Sequence, residues 1–126
     1  MSKKIKNEIK KSFIDCYYMT QKQITTAEIY GVIKKMKEIK SECWEAAGVI
    51  EIELEEKCSI DIETLGMFKG EDDKIFLDKN NIRAIFSVKT DLGNKDKMIE
   101  IFKKVVSDLG GFVCSDSDDF KPFLVK

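Results

Sequence analysis

Carboxylates are the side chains whose type and spacing could do chemistry here. Glu51, Glu53 and Glu55 alternate with Ile50, Ile52 and Leu54, and Asp61 and Glu63 alternate with Ile60 and Ile62 shortly afterwards. Period-two alternation is the mark of a half-buried strand. If the two stretches pair as a hairpin with their aliphatic sides matched, all five acids face solvent together. The pattern predicts Leu54 opposite Ile60, Ile52 opposite Ile62, Glu53 opposite Asp61 and Glu51 opposite Glu63, with Glu56-Lys57-Cys58 as the turn. A slip of one residue would set aliphatics against acids, so the register is constrained by chemistry. Such a face can steer and hold a basic partner. It could alternatively hold Mg²⁺ or Mn²⁺ through oxygen ligands, although acids on a flat sheet stand apart at strand spacing.

The other reactive residue types are sparse. There are no histidines, which excludes Ser–His–Asp and Cys–His nucleophile pairs, imidazole bases and imidazole metal sites. Cys16, Cys43, Cys58 and Cys114 form no C-x-x-C pair, so zinc-ribbon and thioredoxin-type sites fail on spacing. Thiols in a reducing compartment are expected, not disulfides. Asp116, Asp118 and Asp119 resemble half of a calcium loop but lack its glycine and terminal glutamate, and a solvated turn is expected there. Neither glycine-rich phosphate-binding pattern occurs. No cofactor and no metal are called for.

Charge is laid out unevenly over the 126 residues. The chain has a net charge of −1, but residues 1–41 carry +6 and residues 42–126 carry −7. Charged residues make up 36% and apolar residues 43%, the composition of a folded domain with a heavily charged surface. The length suits one domain, 1–126. The N-terminus is basic without the apolar core of a signal peptide, and no apolar stretch approaches the ~20 residues that span a bilayer. A cytoplasmic protein with no membrane association is expected.

The elements that must position the acids follow from periodicity. Ile5, Ile9, Phe13, Cys16 and Tyr17 share one side of a helix predicted from Ser2 to Tyr18, flanked by Lys3, Lys6, Lys10 and Lys11. Thr25-Thr26-Ala27-Glu28 is a capping box, with Ile24 and Ile29 placed as its hydrophobic staple. The apolar run Ile29, Val32, Ile33, Met36, Ile39, Cys43 and Ala47 predicts one long second helix ending at Gly48, with Trp44 near its end as a core or rim residue. After the acidic hairpin and a loop over Gly66 to Asp73, Ile75-Phe76-Leu77 reads as a short strand. Ile82, Ala84, Phe86 and Val88 mark the best central strand. Asn94 can cap a helix to Leu109 lined by Met98, Ile101, Phe102 and Val105, ended by Gly110-Gly111. Phe112, Cys114, Phe120, Pro122 and Leu124 suit one face of a final hairpin, its last strand at an edge because Pro122 cannot donate a ladder bond.

The expected fold is therefore α+β: a mostly antiparallel sheet of about five strands with helices packed on one side, two N-terminal helices, and one β-α-β crossover near the C-terminus. The expected function is non-catalytic: stoichiometric binding of a basic macromolecular partner through Glu51, Glu53, Glu55, Asp61 and Glu63, for example as an inhibitor or immunity-type protein. One alternative is a carboxylate-based, metal-dependent enzyme or small-ligand-binding domain. A second is nucleic-acid binding through the lysine-rich N-terminal helix, which an acidic remainder of the chain opposes.

Overall fold

A computed structural model describes residues 13–126. Seven strands form one sheet in the spatial order β2-β3-β4-β5-β1-β6-β7, every neighbouring pair antiparallel. In chain order the elements are β1 (Phe13–Thr20), α1 (Thr26–Ile33), β2 (Lys40–Trp44), β3 (Val49–Glu53), β4 (Ser59–Leu65), α2 (Glu71–Lys79), β5 (Ala84–Asp91), α3 (Lys95–Leu109), β6 (Phe112–Ser115) and β7 (Phe123–Val125). The class is α+β, with two more strands than expected.

Three elements differ from expectation. The first is β1: Phe13 to Tyr18 lie in a strand, while the rest of the predicted N-terminal helix lies outside the described residues. β1 sits between β5 and β6, with Cys16 and Tyr18 buried on one face and Met19 on the other. A strand covered on both faces loses its alternation, and Phe13, Cys16 and Tyr17 happen to match a helical spacing.

The second is the long helix. α1 begins as expected: Thr25 Oγ1 accepts from the backbone N–H of Ala27 at 3.2 Å, and the Glu28 carboxylate accepts from the Thr25 N–H at 2.7 Å. It stops at Ile33. Met36 and Ile39 still pack against the core, but from a turn, and residues 40–44 pair with β3. Ladder bonds to β3 outweigh continued helical periodicity there. Gly48 is left-handed as expected, with φ +67°, but it closes a short 3₁₀ turn between β2 and β3. A Cβ at Gly48 would lie 2.8 Å from Thr64 Oγ1, so glycine also answers a close approach.

The third is α2, which contains the Ile75-Phe76-Leu77 run. Glu71, Asp72 and Asp73 occupy its first turn and Lys79 its last, the charge order that a helix dipole favours. Only Leu77 of that run is fully buried, and Ile75 is 65% exposed.

The helices do not lie on one side. Cys16, Tyr18, Ile50, Ile52, Ile60, Ile62, Phe86 and Val88 point to the face covered by α1 and α3, where Ile29, Ile33, Met98, Phe102 and Val105 complete the main core. The Tyr18 hydroxyl, buried there, donates to the Gly110 carbonyl at 2.7 Å and ties β1 to the end of α3. On the opposite face α2 covers a second core of Met19, Leu77, Ile82, Ile85, Cys114 and Phe120. Tyr17, Phe68, Phe76, Phe112 and Phe123 pack around it, and the Phe76 and Phe120 rings lie 4.6 Å apart between centroids.

Two expectations near the C-terminus are met. β5 is the central strand of the sheet. It leads through α3 to β6, which runs parallel to it with β1 inserted between. β7 is an edge strand that begins just after Pro122. The predicted one-sided hairpin set divides, however: Cys114, Phe120 and Phe123 face the second core, whereas Leu124 and Val125 pack on the first across a register shift in the β6–β7 pair.

Candidate functional site

β3 and β4 pair with their aliphatic sides matched, but two residues out from the expected register. Ile50 faces Ile62 and Ile52 faces Ile60, so Glu51 is opposite Asp61 and Glu53 is opposite Ser59. Both registers bury the same side chains, because the aliphatic pattern fixes only the parity of the pairing. The connection selects between them. It lies one residue earlier than expected, at the same length: Glu55-Glu56-Lys57 form a 3₁₀ turn, Glu56 and Lys57 are both left-handed at φ +57° and +60°, and the Leu54 N–H donates to the Cys58 carbonyl at 2.9 Å.

Glu51, Glu53, Asp61 and Glu63 all stand exposed on the sheet face opposite α1 and α3. Glu55 does not join them, since it lies in the turn. Strand β2 adds residues that the sequence pattern placed on a helix: Glu42 is paired with Glu51, Lys40 with Glu53, and Trp44 with Val49. Read across the sheet, one row is Glu42, Glu51, Asp61, Lys89 and Asp15. Three carboxylates are thus consecutive before Lys89 is reached. The next row is Trp44, Val49, Glu63, Ser87 and Tyr17. Trp44 is 46% exposed at the rim of this face. A signal for these additions existed in the sequence: Lys40, Glu42 and Trp44 alternate with Ser41 and Cys43.

Like charges facing each other across a ladder cost something comparable to the ~0.2–1 kcal/mol that favourable pairs gain. Glu42–Glu51 and Glu51–Asp61 are two such pairs. Lys89 Nζ lies 3.6 Å from Asp15 Oδ1 in a half-exposed ion pair, which contributes at most about 1 kcal/mol. The acids therefore add little to the stability of the fold. They diverge into solvent, and among the described residues no three metal-ligating side chains converge as a cation site would need.

A second acidic region lies at the other end of the same face. Asp72, Asp73, Asp116 and Asp118 rim a cleft of about 620 Å³ whose floor is Tyr17, Phe68 and Phe120. Burial, then the hydrogen bond to Asp116 and the charge of that carboxylate, push the Tyr17 phenol up to about 12. The loop bearing Asp116 to Asp119 is a self-bonded turn, as expected. The Lys121 N–H donates to Ser117 Oγ at 3.0 Å and to Asp119 Oδ1 at 3.1 Å.

Cys16, Cys43 and Cys114 are free thiols, with Cys16 and Cys114 buried. Burial is the main cause that pushes Cys16 up to about 11 and Cys114 up to about 12, which makes both poor nucleophiles. No helix among the described residues is long and apolar enough to cross a membrane. Comparison with family models, with curated proteins and with solved structures gives no match.

Proposed function

We propose that this protein works by stoichiometric binding of a basic protein on the exposed face of β2, β3 and β4. An inhibitor or immunity-type protein that masks a cationic toxin, such as a nuclease, is the concrete form of this function. One observation carries it: Glu42, Glu51 and Asp61 occupy consecutive register positions on a sheet face that no described element covers, flanked by Glu53 and Glu63. Their mutual repulsion works against the free protein and is relieved when a cationic surface docks. The summed potential of such a patch also accelerates encounter with a cationic partner. Trp44 beside Glu42 supplies the large, partly apolar anchor around which protein interfaces concentrate their affinity.

The test is a capture experiment from the native cell with the intact chain and with the triple variant E51K/E53K/D61K. The intact chain should retain a basic protein at low salt and release it in about 0.5 M salt, where the screening length falls to a few ångströms. The variant should fold and retain none of it. Equal capture by both chains would remove the face from the function.

A further inference from the structure

We infer that two copies of this chain associate by antiparallel pairing of β2 with β2 at the open edge of the sheet, about a two-fold axis at Ser41, independently of the function proposed above. The two edges of the sheet differ. β7 is three residues long and follows Pro122, a short edge blunted by proline against further pairing. β2 is five residues long, contains no proline and is the terminal strand on the other side.

Hydrogen-bond parity shows which backbone groups this edge offers. The Thr64 N–H donates to the Gly48 carbonyl at 2.8 Å and the Leu54 N–H to the Cys58 carbonyl at 2.9 Å. Ile50 and Ile52 therefore bond toward β4, while Val49, Glu51 and Glu53 bond toward β2. Their partners Trp44, Glu42 and Lys40 spend their N–H and C=O groups on β3. Ser41 and Cys43 turn theirs to the open edge, where no other described element bonds them.

The symmetric alignments that bond both residues to a second β2 differ in what they oppose. With Ser41 opposite the partner's Cys43, Glu42 meets the partner's Glu42, a repulsive pair. With Cys43 opposite the partner's Cys43, Ser41 falls opposite the partner's Glu45, which lies in the 3₁₀ turn beyond the strand. With Ser41 opposite the partner's Ser41, Lys40 stands opposite the partner's Glu42, and by symmetry Glu42 stands opposite the partner's Lys40. On the other face Cys43 then meets the partner's Ile39, and both residue types pack against the main core of their own chain. This alignment matches cation with anion and apolar with apolar. It also closes the row of Glu42, Glu51 and Asp61, which has Lys89 at one end and gains the partner's Lys40 at the other. A lysine alone would guard the edge, but two residues from Glu42 it makes the edge self-complementary.

A contact of one strand belongs to the small, weak class of interfaces, so sedimentation velocity from about 10 µM to about 1 mM tests it. The intact chain should pass from monomer to dimer over this range. K40E and E42K should each dimerise at least about tenfold more weakly, because like charges replace both symmetric pairs. An equimolar mixture of the two variants should recover the intact affinity, since each offers the charge that the other lacks. That recovery should fade in about 0.5 M salt. S41P removes an outward N–H without touching the ladder to β3 and should remain a folded monomer. A chain monomeric up to about 1 mM would overturn the inference. So would a dimer that K40E or S41P leaves unchanged, or a mixture no tighter than either variant alone. Assemblies growing beyond a dimer would overturn it too, by showing head-to-tail pairing of β2 with β7.

Discussion

The two halves of the sheet face that looks away from α1 and α3 have opposite characters. Over β6, β7 and the Met19–Ile85 end of β1 and β5 it carries Met19, Ile85, Cys114 and Phe123, sealed by α2 and an aromatic cluster, whereas the other end of β1 and β5 contributes Asp15 and Lys89 to the exposed row. Over β2, β3 and β4 it carries Glu42, Glu51, Glu53, Asp61 and Glu63, all exposed. The same backbone geometry runs through both. One half is therefore spent on stability, and the other is left free for a partner. Substitutions should separate them cleanly: losses of stability in the covered half, losses of binding in the bare half.

The largest effect is expected at Phe120, which is 5% exposed in the covered half. Phe120→Ala should cost about 3 kcal/mol, in line with buried Phe→Ala changes elsewhere, read as a lowered urea midpoint. A cost below about 1 kcal/mol would mean that the second core contributes little. Alkaline pH should act on the same half. Tyr17 and Cys114 are pushed up to about 12 from ordinary values of 10 and 9, so the folded state holds these protons more tightly than the unfolded chain. The resulting stability is complete below about pH 9 and is lost as pH rises toward 12. Denaturation curves should weaken from pH 9 upward, and Cys114→Ala should flatten that slope. A flat profile to pH 11 would contradict the burial of these groups.

The bare half should behave in the opposite sense. Glu51→Lys turns two repulsive pairs into attractive ones and should raise stability by about 1 kcal/mol at low salt, with the gain shrinking in about 1 M salt. The same change should weaken binding of the basic partner. Lys89→Gln is the smallest probe. It removes the cation between Asp61 and Asp15 and should cost about 0.5 kcal/mol at low salt. If Glu51→Lys destabilised the protein, the acids would have a structural role and the contrast between the halves would fail.

How much of this was legible in the sequence depends on how each segment is buried. β5 and α3 are read correctly because Ala84, Phe86 and Val88 alternate cleanly and Met98, Ile101, Phe102 and Val105 repeat at helical spacing. The capping box at Thr25 likewise marks the start of α1. β1 escaped because both faces of its second half are covered, so Cys16, Tyr17, Tyr18 and Met19 show no alternation. α2 escaped because three consecutive apolar residues, Ile75 to Leu77, carry no period, although the acids of its first turn were a usable signal. Of the candidate site, Glu51, Glu53, Asp61 and Glu63 were visible from strand parity alone. Glu42 and Trp44 were hidden by a helical pattern that β2 interrupts, and Glu55 was misplaced because the position of the turn, unlike parity, is not written in the aliphatic spacing.

The left-handed turn at Glu56 and Lys57 has a consequence for how such a surface can change. Shortening that connection by two residues would slide β4 along β3 to the alternative alignment, where Ile52 meets Ile62. The interior would see the same greasy side chains, while the acids outside would acquire new neighbours. A surface loop thus works as a vernier for the charge pattern. Because β4 is also held in register with β5, β2 and β3 would have to move past it together, and recognition would be retuned in steps of two residues where that edge of the sheet can follow.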